Sequence, residues 1–197
     1  MQPKTTLVRR VAIYLTTVLA FAGVLVAPAN ADTEKPPPGI SAEAWRTRPT
    51  FPVFAADAGP IVCFTGHIQD YGWQAVDCND GDWAWAGTTG QFRRLEAILI
   101  VGANTGGATC AEAHGQDYGW QGLRCEYDGR EFAIGTTGQF LRMEAFRFGH
   151  TTRTTCNRAH GQDYGWGVSG CVGPGQTRMA GTTGQSLRLE AATATIL

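Results

Sequence analysis

What this chain lacks excludes several functions at once. It contains no C-x-x-C pair, which removes the commonest zinc and dithiol motifs. No serine recurs at a fixed place, so an acyl-transfer triad has no evident nucleophile. Helix-length amphipathic patterns are missing from residue 61 onward, and only strand periodicity remains. A basic excess is missing too. Setting aside Lys4, Arg9 and Arg10 of the leader leaves 13 of 16 basic residues against 17 acidic ones, a formal charge of -4. Nucleic acid favours the opposite sign and is not expected as a partner.

The leader is residues 1–31. Its three basic residues precede an apolar run from Val11 to Ala27 and then Ala29-Asn30-Ala31, the pattern of a secretory signal peptide with its cleavage site. The run falls short of the ~20 apolar residues a membrane span needs, so no span is expected once the leader is cut. Residues 32–60 hold Pro36-Pro37-Pro38-Gly39, Pro49, Pro52 and Pro60, and read as a Pro-rich extended linker. Trp45 and Phe51-Pro52-Val53-Phe54 offer the other possibility, an edge segment packed on the domain.

From residue 61 to 197 the chain is a triplicate. Gly66-His67-Ile68-Gln69-Asp70-Tyr71-Gly72-Trp73 returns as Ala113 to Trp120 and as Ala159 to Trp166, a period of 46 to 47 residues. The repeats run at about 61–107, 108–153 and 154–197. Each carries two cysteines fifteen apart, which pairs Cys63 with Cys78, Cys110 with Cys125 and Cys156 with Cys171. Disulfides suit an exported chain, and each would close its loop at a gain of ~3 kcal/mol. Zinc is the competing use of cysteine and histidine, and neither metal nor cofactor is expected.

Within a repeat every element reads as a strand. Val62 to Ile68 and Trp73 to Cys78 form a hairpin, a third strand lies near Asp82 to Ala86, and a fourth runs from Phe92 to Val101. Alternation puts Leu95, Ala97 and Leu99 on one face of that last strand, and Glu96, Ile98 and Ile100 on the other. A 46-residue unit buries too little apolar surface to stand alone, so the copies are expected to close on each other. The expectation is an all-β, closed pseudo-threefold domain of three four-stranded repeats. A β-prism of plain meanders is favoured over a β-trefoil.

The pattern His-x-Gln-x-x-Gly-Trp, a spacer, then Gly-Thr-Thr-Gly-Gln-x-x-Arg-x-Glu-Ala resembles the ChW repeat, the clostridial hydrophobic repeat with its characteristic tryptophan. All three copies fit, and the third, Gly181 to Ala191, looks closest to it. The resemblance implies an extracellular or surface-associated protein of Gram-positive bacteria that binds macromolecules or surfaces, and it brings no catalytic residues. The cysteine pair is an addition to that pattern. The tract from the second cysteine to Gly87 is one residue shorter than its counterparts.

The recurring residues suggest two kinds of role. Trp73, Trp120 and Trp166 could stack on sugar rings, with Gln69, Gln116, Gln162, Asp70, Asp117 and Asp163 bonding hydroxyls. Core packing, turn capping and backbone satisfaction are the plainer roles for the same residues, and then Tyr71, Tyr118 and Tyr164 at the turn tips become the exposed aromatics. His67, His114 and His160 could meet on the axis around a metal, or serve as bonded structural histidines. Glu96, Glu144 and Glu190 either pair with Arg94, Arg142 and Arg188 or hold the Gly-Thr-Thr-Gly turn. A triplicated acid is unlike a catalytic one, which is single and asymmetric. The expected function is a secreted, non-catalytic, lectin-like module for an extracellular polysaccharide or surface glycan, with up to three quasi-equivalent sites. A protein-binding or structural module and a carbohydrate-active hydrolase are the alternatives.

Overall fold

The computed structural model describes residues 35–80 and 82–197, so the leader expected at 1–31 lies outside the described residues. Repeat one supplies β1 (Ile61–Ile68), β2 (Gly72–Trp73), β3 (Asp77–Cys78), β4 (Ala84–Gly87) and β5 (Leu95–Ala103). Repeat two supplies β6 (Ala108–Gly115), β7 (Gly119–Trp120), β8 (Arg124–Tyr127), β9 (Phe132–Gly135) and β10 (Met143–His150). Repeat three supplies β11 (Thr155–Gly161), β12 (Gly165–Trp166), β13 (Gly170–Val172), β14 (Thr177–Gly181) and β15 (Leu189–Ile196).

Each repeat opens with the expected hairpin, whose register places cysteine opposite cysteine. Disulfides join Cys63–Cys78, Cys110–Cys125 and Cys156–Cys171, at Cα separations of 4.0, 4.1 and 4.0 Å. Directly opposed residues on antiparallel strands come this close, so the bond fixes the register without distorting it.

The return strand of the hairpin is split into two short ones, and the fourth strand of each repeat leaves its own sheet. β9 joins β5 of repeat one, β14 joins β10 of repeat two, and β4 joins β15 of repeat three. The result is three five-stranded antiparallel sheets, and each repeat lends one strand to a neighbour around a closed cycle. Plain meanders are therefore corrected to exchanged ones: the loan covers a sheet edge that each repeat would leave open by itself. The pseudo-threefold prism expectation holds. No barrel closes among the described residues, and the trefoil alternative falls with it.

Glycine permits the exchange. Gly87, Gly135 and Gly181, at φ of 111, 87 and 103°, end the lent strands. A β-carbon there would stand 2.2, 2.3 and 2.5 Å from the carbonyl oxygens of Glu190, Glu96 and Glu144. The following threonines, Thr88, Thr136 and Thr182, donate their N–H to those same carbonyls at 2.8 to 2.9 Å. The Gly-Thr-Thr-Gly motif thus docks one repeat on the next.

One core lies between the sheets, with members from all three repeats, among them Val62, Phe64, Ile98, Phe132, Phe146, Phe148, Ala192 and Ile196. Phe64 meets Phe148 edge to face at 5.6 Å. A bulge at Glu96 shifts the register between Ala97, opposite His67, and Leu95, opposite Ile68. The expected grouping of Leu95 with Ala97 and Leu99 is corrected accordingly. Leu95 joins Ile98 and Ile100 in the central core, while Ala97 and Leu99 face outward.

The segment expected as a linker is partly built into the domain. Ser41 caps helix α1 (Ala42–Arg46) by accepting from Ala44 N–H. Ile40, Ala44 and Trp45 cover Ala97, Leu99 and Ala133 on the outside of the first sheet, with Phe51 and Trp73 alongside. Trp45 is 4% exposed, because the outer face of β5 is apolar and needs a cover.

Candidate ligand-binding site

The three recurring turns share a scaffold. Asp70, Asp117 and Asp163 sit at φ of 60, 67 and 67°, a left-handed conformation that aspartate tolerates better than most residues. Arg142 and Arg188 donate to the side-chain oxygens of Gln116 and Gln162 at 2.7 and 3.0 Å, and Arg93 donates to the main-chain oxygen of Gln69 at 2.9 Å. The glutamine main-chain N–H groups donate to Arg94, Arg142 and Arg188 carbonyls. Gln116 and Gln162 and the three aspartates therefore have structural employment, and the aspartate side chains remain exposed.

Behind each turn lies a polar cluster. Glu96, Glu144 and Glu190 are 4 to 5% exposed, and each accepts from its arginine at 2.8 Å. His67 Nδ1 stands 3.0 Å from Glu96, while His114 and His160 stand 3.4 Å from Glu144 and Glu190. The ring of each histidine meets its tryptophan edge to face at 5.1 to 5.2 Å. The side chains of these glutamates form the expected ion pair, and their carbonyls hold the neighbour's Gly-Thr-Thr-Gly turn. Each histidine belongs to its own repeat's cluster. No group of three or more His, Cys, Asp or Glu that could hold a metal occurs among the described residues.

The tyrosines are not equivalent. Tyr71 is 68% exposed. Tyr118 and Tyr164 turn inward over Gly115 and Gly161, where a β-carbon would meet the phenol ring at 2.0 Å. Burial, aided by the charge of Glu190, pushes Tyr164 up to about 12. Tyr118 rises further for the same reasons, with Glu144 as the neighbour. Ile68 occupies the corresponding place in repeat one and leaves Tyr71 outside.

The tryptophans also part company. Trp73 donates Nε1–H to Ala44 O at 2.7 Å, under the N-terminal segment. Trp120 carries the Arg147 guanidinium 4.1 Å above its ring. Trp166 meets Trp85 edge to face at 5.0 Å and carries Arg158 at 4.5 Å.

These differences follow one row across the outside of each sheet. In the first sheet the row is Thr65, Leu99 and Ala133, lying under Trp45. In the second it is Glu112, Arg147 and Met179, with Arg147 bonded to Glu112 at 3.1 Å. In the third it is Arg158, Thr193 and Trp85. A pseudo-threefold body thus shows three different chemistries at equivalent places.

Two more aromatics stand out near the turns. Phe92 and Phe140, in the loop after Gly-Thr-Thr-Gly-Gln, are 78 and 76% exposed at φ of 56 and 58°. A bulky residue in that conformation carries strain of ~1–2 kcal/mol. Ser186 takes the position in repeat three. Two clefts accompany these surfaces. One of about 320 Å³ is lined by Tyr118, Gln121, Arg124 and Gln139 beside Pro38 and Gly39. The other, about 260 Å³, is lined by Gln74, Ala75, Asp77 and Trp85. Asp77 accepts from Trp85 N–H at 2.7 Å, and burial raises its pKa despite that bond, with Asp82 adding to the rise.

Reading the repeats for what they share missed Phe92, Phe140, Trp83, Trp85 and Arg158. Trp85 and Arg158 occupy outward strand positions at which the copies disagree, whereas Trp83, Phe92 and Phe140 stand in loops.

Comparison with known families matches Clostridial hydrophobic W (ChW) at residues 67–101 and 114–148. Each matched segment runs from the hairpin histidine into the last strand of its repeat. The third copy, expected to lie closest to the pattern, is outside the matched segments. No curated protein and no solved structure matches the chain.

Proposed function

We propose that this chain, which carries tandem ChW repeats, is a secreted, non-catalytic module that recognises extracellular or surface glycans. Three disulfides and the repeats themselves fit an extracellular protein. The observation carrying the glycan reading is the tip of repeat one. Exposed Tyr71 and Phe92 stand on adjoining loops that Arg93 links, through Gln69 O at 2.9 Å and Asp70 at 3.7 Å. Aromatic faces beside a carboxylate and a guanidinium match a ring with apolar faces and hydroxyl edges.

The sites are then unequal rather than threefold, since repeats two and three fold their tyrosine inward. Non-catalysis is supported by the recurring glutamates, which are buried and paired with arginines. A protein partner is the second reading. It is favoured by the apolar rings of Phe92 and Phe140, which offer no hydrogen bond to a hydroxyl.

A glycan array followed by calorimetry tests the proposal. Saccharide binding is expected, weakened at least about tenfold by Tyr71→Ala with Phe92→Ala at unchanged melting temperature. Silence across the array, or binding that ignores both substitutions, would contradict it. A reducing-end assay on bound polysaccharide is expected to stay flat, and release of new ends would make the chain a hydrolase.

A further inference from the structure

Arg158 differs from the other arginines that stand on or behind the sheets. Arg94, Arg142 and Arg188 bond to glutamates, and Arg147 bonds to Glu112. Arg158 has no hydrogen bond or ion pair among the described residues. Its guanidinium lies 4.5 Å from the ring centre of Trp166 and 5.7 Å from that of Trp83. Its Nε is shut off from solvent with no partner, as is Oγ1 of Thr193, the residue directly beside it in the sheet. Thr193 is 1% exposed and faces outward, because Ala192 and Ala194 on either side of it point into the core. Trp85 completes the row on the far side of Thr193, its ring against Trp166.

A guanidinium with no carboxylate beside it carries a charge that an arriving anion can pair with. Stacking on indole holds a guanidinium in a fixed plane, ready for two parallel bonds to one acidic group. Trp85 and Trp166 cross at 69°, so the indoles form an apolar corner beside the guanidinium, and a pyranose ring can cover a single ring face of it.

We propose that the outer face of the third sheet is a second site, separate from the turn tip, and that it takes an acidic saccharide. The sugar ring packs against the indoles of Trp83 and Trp85, beside the Arg158–Trp166 stack. Its carboxylate or phosphate accepts from the Arg158 guanidinium, which stands over buried Thr193. The first sheet offers no such site, because Trp45 covers its face. The second offers none, because Glu112 already neutralises Arg147. The proposal rests on the glycan-binding reading.

The test is titration of the secreted chain with tri-galacturonic acid, a glycerol-phosphate trimer, neutral maltotriose and a tri-glutamate peptide, while following indole resonances. At least one acidic saccharide is expected to bind with one site per chain and shift the resonances of Trp83, Trp85 and Trp166. Its affinity should fall as salt rises. Arg158→Gln should weaken it at least about tenfold, with Arg158→Lys intermediate. The uronate and phosphate arms tell which acidic group is read. Acidic saccharides binding no better than maltotriose, or full affinity in a folded Arg158→Gln chain, would overturn the site. So would a tri-glutamate peptide binding as tightly as the sugars. If neutral glycans bind at the Tyr71 and Phe92 tip while the indoles stay unmoved, this site alone fails. If nothing binds anywhere, the glycan reading fails with it.

Discussion

The phenol ring of Tyr118 lies across the α-carbon of Gly115, so close that a β-carbon there would stand 2.0 Å from Cζ. Tyr164 and Gly161 repeat the relationship. Repeat one has Ile68 instead, fully buried, and its Tyr71 points to solvent. One side chain therefore decides whether a turn is closed or open.

Gly115→Ile is expected to expel Tyr118 and destabilise the domain by about 1–3 kcal/mol, as overpacking does. Absorbance titration in alkali should then show Tyr118 ionising earlier than in the parent, and a thermal melt gives the stability change. An unmoved late ionisation would mean that the ring is held by something other than the glycine.

The buried phenols also make the domain sensitive to alkali. An unfolded tyrosine ionises near pH 10, whereas Tyr164 is pushed up to about 12. Its contribution is fully present below about pH 10 and is lost as pH rises toward 12. Tyr164→Phe should remove that part of the alkaline fall, as read by denaturant unfolding at pH 8 and pH 11.

His150 makes the opposite slope on the acid side. It is 1% exposed, its Nδ1 accepts from Thr152 N–H at 3.2 Å, and its Nε2 stands 2.8 Å from Thr105 Oγ1. Burial lowers its pKa; Asp128 opposes the shift and Arg153 adds to it. The unfolded chain takes up this proton near pH 6.5 and the folded chain only below that. Stability is therefore complete above about 6.5 and declines as pH falls through it. Urea unfolding at pH 7.5 and 5.0 should show the decline, and His150→Gln should flatten it.

Trp45 holds the N-terminal segment down, with Arg48 stacked 3.6 Å over its ring and bonded to Glu131 at 2.7 Å. Trp45→Ala should cost about 3–5 kcal/mol and uncover Leu99 and Ala133. Calorimetry reads the loss, and binding of a hydrophobic dye reads the exposed face. A change under about 1 kcal/mol would mean the segment is a loose tether after all.

Much of this fold was legible because a repeat displays its own constraints. The cysteine spacing placed the disulfides, and the Tyr-Gly-Trp turns placed the hairpins. The exchange of β4, β9 and β14 was not legible, since a strand's sequence gives its faces but not its partner. Nor was the bulge at Glu96, which turned Leu95 toward the core. The site was harder for a reason built into symmetry. Residues that hold a repeat's own turn, such as Gln116, or dock it on a neighbour, such as Glu144 and Gly135, must recur. The residues that make the faces different, Trp85, Arg147 and Leu99, carry no repeating signal.

The relationship that holds the fold together is the loan of each repeat's fourth strand to the repeat before it, with repeat one lending to repeat three. Cross-strand nuclear Overhauser contacts test it most directly. The account expects them between Trp85 and Thr193 and between Ala86 and Ala192, paired in the third sheet. Contacts that instead pair β4 with β5 of its own repeat would contradict it.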